Sequence, residues 1–237
     1  MQHKPLILAL LAGLSLSGAA QAALFGEVYD NALNITWQQN ANLAATDTFG
    51  VSGIGANGTM TWNTANQWIG AMNTADYLGY SDWRLPTTAP INGNAFDYSY
   101  STTGTTDNGY NVSAPGTAYA GNKGSEMAYL FYIDLGNKAS YDAFSGTPQT
   151  GYGVLHRGPF QYVNFSSYWS GTEDAQNSGL AWVFDTFNGG QDAGNKNIYN
   201  NVWAVRPGDV AAVPLPGAAW LLGSGLLGLI GLARRRG

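Results

Sequence analysis

The chain has no cysteine among its 237 residues. That excludes a disulfide framework, a thiol nucleophile and a cysteine-bound metal. Histidine is nearly absent: His3 sits at the extreme start, and His156 is the only other one. A histidine-ligated metal site or a Ser-His-Asp triad would rest on His156 alone. Its context, Leu155-His156-Arg157-Gly158-Pro159, is turn-like and offers no strand-to-helix elbow. Charge is scarce as well, at 11% of residues. Without Lys4 and the three arginines near the end, six basic residues face fifteen acidic ones, a formal charge of −9. A surface of that sign disfavours nucleic acid and anionic lipid as partners. Gly53-Ile54-Gly55-Ala56-Asn57-Gly58 matches a dinucleotide-binding pattern by letter. No buried strand precedes it and loop residues surround it, so no phosphate binding is expected there.

Long apolar runs occur only at the two ends. Lys4 precedes the apolar stretch 6–16, and Ala20-Gln21-Ala22 follows as a small-x-small motif. Residues 1–22 therefore read as a signal peptide cut after Ala22, the run being too short for a membrane span. At the other end, Val213-Pro214-Leu215-Pro216 precedes the apolar stretch 218–233 and then Arg234-Arg235-Arg236. Sixteen helical residues cover roughly 24 Å, just enough to cross a hydrocarbon core of about 30 Å with interfacial anchors. Pro214 and Pro216 keep the preceding segment extended and open to a protease. The arginines favour the cytoplasmic side, which leaves the bulk of the chain outside.

These three parts in this order resemble the PEP-CTERM family of sorting signals, in the variant that reads VPLP. The resemblance covers 211–237. It implies a Gram-negative envelope, recognition by an exosortase, transient anchoring in the inner membrane, and a destination at the cell surface or beyond. It implies no catalytic residue. A plain C-terminal anchor is the alternative reading.

Residues 23–210 suit one domain with a sizeable core. With no disulfide available, packing must hold it, and eight Trp, fourteen Tyr and nine Phe supply apolar area. Two helices are predicted. The first covers 61–76, capped by Thr61, with Trp62, Ala65, Ile69 and Met72 on one face. The second covers 125–134, capped by Ser125, with Glu126 in its first turn and Met127, Leu130 and Phe131 buried; Gly136 ends it. Strands are predicted at 34–37, 167–169, 180–184 and 201–205. The stretch 89–121 is Gly, Ser, Thr, Asn and Tyr without periodicity, and reads as a long surface loop.

A second series of motifs runs through this domain. Asp82-Trp83-Arg84-Leu85-Pro86-Thr87 follows the first helix, and Tyr168-Trp169-Ser170-Gly171-Thr172-Glu173 precedes Ala181-Trp182. Trp203-Ala204-Val205-Arg206-Pro207 closes the series. Together they resemble the Lcl C-terminal domain family, with Gly171 where a second serine is usual. The resemblance implies an α+β, C-type-lectin-like fold with two helices and short antiparallel strands. It also implies association with exopolysaccharide or biofilm material.

Arg84 stands among apolar residues and needs a carboxylate; Asp82, Glu126 and Glu173 are the candidates. Trp83, Arg84, Glu173 and Arg206 are thus candidate structural or ligand residues, the ligand in that case being an acidic sugar. Trp169, Trp182 and Trp203 alternate with small or polar neighbours and read as core. Tyr98, Tyr100 and Tyr110, with Tyr119, are the candidate surface contacts of the long loop. Asp107-Asn108 and the stretch 192–197 offer oxygen ligands that could hold calcium, although such clusters are more often plain turns and no cofactor is expected. The expected function is that of an exported, non-enzymatic surface or matrix protein that meets polysaccharide or envelope material. The alternative is an exported enzyme on a lectin-like fold: a carboxylate hydrolase, or a relative of the formylglycine-generating oxidases, whose copper needs paired cysteines that this chain lacks.

Overall fold

A computed structural model describes residues 26–208. The signal-peptide residues Ala20 and Ala22, the motif Val213 to Pro216 and Arg234, Arg235 and Arg236 lie outside the described residues. Among the described residues, no helix is long and apolar enough to cross a membrane.

The architecture is mixed α+β, dominated by two sheets. Strands β1 (Glu27–Asp30), β2 (Ile35–Gln38) and β8 (Val205–Pro207) form a three-stranded antiparallel sheet with β2 in the middle. The first and last strands of the described chain are thereby joined through β2. The second sheet runs in the order β3 (Tyr100–Ser101), β4 (Asn108–Tyr110), β7 (Gly190–Asn195), β6 (Leu180–Asp185), β5 (Ser167–Glu173). Its β3–β4 pair is parallel and the others antiparallel. β6 is apolar over five of its six residues, as a strand with both faces covered must be.

Helix α1 (Trp62–Thr74) starts where predicted: Thr61 Oγ1 accepts from the Thr64 amide at 3.3 Å. Its buried face is Ala65, Trp68, Ile69 and Met72. Trp68 takes the place expected for Trp62, which is half-buried and donates from Nε1 to the Ser170 carbonyl at 2.8 Å. The second helix departs from a regular α-helix. α2 (Glu126–Tyr129) is one turn, capped by Ser125, and continues as a wider π-type turn over Leu130–Asp134. The Leu135 amide reaches the Leu130 carbonyl at 3.0 Å, five residues back, and Gly136 follows at φ +65°. The strand expected at 201–205 forms only at its end. Asn200 and Asn201 bridge to Met60 and Tyr168 before β8 begins at Val205.

Two clusters of buried side chains fill the interior. One gathers Trp37, Phe131, Tyr168, Phe184 and Trp203. The other gathers Trp68, Met72, Trp83, Leu85 and Trp169 under α1. Trp169, Trp182 and Trp203 are core, as expected. Trp83 Nε1 donates to the Tyr77 carbonyl, Trp169 Nε1 to Met60 and Trp203 Nε1 to Gln38. Each such bond satisfies a donor that burial would otherwise strand, and the last two link segments far apart in the chain.

Two arginine–carboxylate pairs close the remaining seams. Arg84 takes Glu126 as its partner, with two bonds of 2.7 Å, and Glu126 also accepts from the Thr87 amide. Backbone bonds between Arg84 and Val205 then add this segment to the three-stranded sheet. Arg206 donates from Nε to Glu27 at 2.8 Å, and its guanidinium lies 3.6 Å from the Tyr80 ring centroid. Burial pushes the Glu27 carboxyl up, and the Arg206 hydrogen bond opposes that shift. The Arg206 and Glu27 side chains are 4% and 5% exposed, whereas Arg84 keeps 33%. Arg206→Ala should therefore cost about 3–5 kcal/mol, the penalty for stranding a buried charge. Arg84→Ala should cost less, about 1–3 kcal/mol. Denaturant unfolding of the two variants checks the order; a larger loss at Arg84 would contradict the burial argument.

Candidate functional site

The segment 89–121 is largely irregular and partly exposed, as expected of a surface loop, but it also contributes β3 and β4 as the edge of the five-stranded sheet. Its anchor is Asp107, a side chain with no solvent exposure. The two carboxylate oxygens accept from the Ile91 and Asp97 amides, both at 2.8 Å. Burial raises the Asp107 carboxyl, and these amide bonds hold against that rise. Asn111 adds a second anchor, donating to the Thr102 and Tyr141 carbonyls while its amide donates to the Tyr132 hydroxyl. Gly109 is required between them: its φ is +122°, and a Cβ there would meet the Ser101 carbonyl oxygen at 1.9 Å.

With the segment pinned, Phe96 and Tyr98 cover Trp182. Their ring centroids lie 4.7 and 5.7 Å from the indole, nearly parallel to it. Tyr98 is thus half-buried, a correction to the expectation of an exposed ring; the cause is the apolar face of Trp182 that it shields. Tyr110 is also half-buried, because β4 pairs with β7 and sets Tyr110 opposite Gly190. Tyr100 is the one that stays open, at 65% exposure. It meets Tyr110 edge-on at 6.2 Å, and Tyr110 meets Tyr141 at 4.7 Å. Tyr119 falls elsewhere and packs against the first core cluster.

Tyr98, Tyr100 and Tyr110 border an open cavity of about 530 Å³. That is within the range of about 300–1,000 Å³ common for small-molecule sites. Its other polar walls are three aspartates, Asp174, Asp185 and Asp192, with Asn108, Asn188 and Gln191. Asp174 is fixed, accepting from the Gln176 and Asn177 amides. Asp185 and Asp192 come from adjacent strands whose register pairs Asp185 with Gly190 and Val183 with Asp192. The two carboxyls therefore share a face, one diagonal step apart. Burial raises both, and Asp185 raises Asp192 further. Asp192 lines the cavity and is exposed to solvent.

Three expectations change here. Glu173 does not reach Arg84; it is exposed and pairs with Lys196 at 3.0 Å. Lys196 Nζ also sits 4.3 Å from the Trp62 ring centroid, so Glu173 steadies a surface contact. Trp83, Arg84 and Arg206 hold the fold together and do not line the cavity. The calcium candidates do not converge either. Asp107 spends both oxygens on backbone amides, and residues 192–195 run along β7 with side chains on alternating faces. Among the described residues, no group of three or more His, Asp or Glu side chains is placed to hold a metal ion. His156 is exposed, and its backbone bonds to the Asn137 side chain. Sequence reasoning missed Asp174, Asp185, Asn188 and Gln191. Their one signal was the polar content of the turns beside the aromatic strand 180–184.

The match to known proteins is narrow. A family model described as the Lcl C-terminal domain matches residues 26–206. No curated protein and no solved structure matches the chain.

Asp107→Ala tests how the cavity wall is built. It removes the partner of two buried amides, at about 1–3 kcal/mol each. The variant should be less stable, and limited proteolysis should cut first within 89–121. Unchanged stability and an uncut segment would show that something else holds the wall.

Proposed function

The chain belongs to the Lcl C-terminal domain family, and from that premise we propose that it is an exported, non-enzymatic module that binds glycan of the cell envelope or its matrix. The observation that carries this reading is the cavity bordered by Tyr98, Tyr100 and Tyr110 and edged with carboxylates and amides. Aromatic rings bury the apolar faces of sugar rings at low entropic cost, and carboxylates and amides take their hydroxyls. The C-type-lectin-like character of the fold belongs to the same reading. It is supported by two short helices set against antiparallel strands and by termini joined in one sheet.

Export and sorting complete the proposal. The N-terminal leader motif and the Pro214–Pro216, apolar, arginine tail support secretion, transient inner-membrane anchoring and release by an exosortase to the surface. A second reading has one observation in its favour. Asp185 and Asp192 share a cavity and have raised carboxyls, the setting that a carboxylate-based hydrolase needs. An oxidase of the formylglycine-generating type lacks its copper ligands in a chain with no cysteine.

Binding to exopolysaccharide from the producing organism should fall about tenfold in a Tyr100→Ala, Tyr110→Ala double variant, as two ring contacts at about 0.5–1.5 kcal/mol each imply. Hydrolysis of the same material should be absent. Turnover that disappears in Asp192→Asn would favour the hydrolase instead. For sorting, mass spectrometry of the exported protein should find the tail missing in cells with an exosortase. A mature chain that still carries Arg236 would refute that part.

A further inference from the structure

Among the residues that line the cavity, none is Lys, Arg or His, while three are Asp. The two arginines of the motif series do not line it; Glu126 holds Arg84 and Glu27 holds Arg206. We infer, resting on the glycan-binding reading above, that the cavity selects a sugar bearing a free amino group over neutral and acidic sugars.

Four observations lead there. First, Asp185 and Asp192 lie on one face of adjacent strands with no cation between them. Asp185 receives one amide bond, from Phe187, at 2.8 Å. The forces acting on Asp192 are burial and the charge of Asp185, with no hydrogen-bond donor among the described residues to offset them. Two carboxylates so placed repel each other, and a bound ammonium offsets that repulsion by attracting both. Second, the strand next to β7 is aromatic: Tyr110 stands opposite Gly190, in the same row as Asp185. An ammonium within about 6 Å of a tyrosine ring gains a further cation–π attraction. Tyr100 presents an open ring for this, and Tyr110 stands edge-on behind it. Third, Gln191 on the lining is 2% exposed and has a bonded Nε2, on the Asp107 carbonyl, but an Oε1 with no partner among the described residues. A ligand that brings a hydroxyl as well as a charge would satisfy it. Fourth, a uronic acid would meet three carboxylates and no compensating donor of positive charge, on a chain whose described part is itself acidic.

The amine and the ring are then read by different walls. Asp185 and Asp192 take the ammonium, and Tyr98, Tyr100 and Tyr110 take the sugar faces. Acetylation of the amine would remove its charge and leave only the ring contacts. The site would accordingly report the degree of deacetylation of a matrix polysaccharide.

Calorimetric titration of the full chain in detergent can test this with four probes: a glucosamine oligosaccharide, its N-acetylated counterpart, an oligogalacturonate and ethanolamine. The glucosamine oligosaccharide should bind about tenfold more tightly than the N-acetylated one, and the oligogalacturonate least. Ethanolamine, an ammonium without a sugar, should bind at least tenfold more weakly than the glucosamine oligosaccharide. The preference should shrink as salt is raised. Asp192→Asn should bring the glucosamine and N-acetylated probes close to parity, with an unchanged melting temperature as the control for folding. Equal binding of the three oligosaccharides would overturn the charge selection and leave glycan binding standing. An undiminished preference in Asp192→Asn would overturn it too. Binding of ethanolamine as tight as that of the glucosamine oligosaccharide would make this a plain ammonium site and overturn the sugar assignment. Binding of none of the four would overturn both this inference and the glycan reading.

Discussion

The buried carboxylate of Asp107 receives the Ile91 and Asp97 amides, and those two bonds decide where a long polar segment of the chain goes. A segment of Gly, Ser, Thr and Asn has no apolar stripe with which to choose a surface. It is directed by hydrogen-bond satisfaction: a carboxylate that must be paired once buried, and amides that must be paired once folded against the sheet. Once Asp107 is in place, β4 can pair with β7, Phe96 and Tyr98 can cover Trp182, and Tyr100 and Tyr110 stand over a recess between strands. The cavity is thus a consequence of polar pinning more than of hydrophobic packing.

The remainder of the domain shows how a chain without cysteine holds together. Indole N–H groups reach carbonyls far away in sequence, as Trp203 reaches Gln38 and Trp169 reaches Met60. The two arginine pairs do the same for charge, one joining α2 to the segment that extends the small sheet, the other joining β1 to β8. Neither arginine lines the cavity. The motif residues that stand out most in the sequence therefore belong to the frame, and the functional candidates belong to what the frame supports.

That division explains what could be read from the sequence and what could not. Helix α1 was legible because Thr61 and the apolar face at helical spacing both signal it. The Arg84–Glu126 pair was legible as one of three options, since a guanidinium amid apolar residues demands a carboxylate. β7 was not legible. Gly190-Gln191-Asp192-Ala193-Gly194-Asn195 has almost no strand propensity and is a strand because β6 lies beside it in full register. The same blindness hid Asp185 and Gln191, whose meeting with the three tyrosines depends on pairings between strands far apart in sequence. The three tyrosines stand out by composition, and the structure leaves Tyr100 exposed while it half-buries Tyr98 and Tyr110.

Frame and recess together describe a domain with an acidic, aromatic hollow, which the proposed function makes the contact surface for glycan. The claim that this hollow is the contact surface is tested most directly by mapping backbone amide shifts while an oligosaccharide from the matrix polysaccharide is titrated in. The account predicts perturbations gathered at Tyr98, Tyr100, Asn108 to Tyr110 and Gly190 to Ala193. Perturbations gathered instead at the separate exposed aromatic group of Tyr152, Phe165 and Phe187 would contradict it.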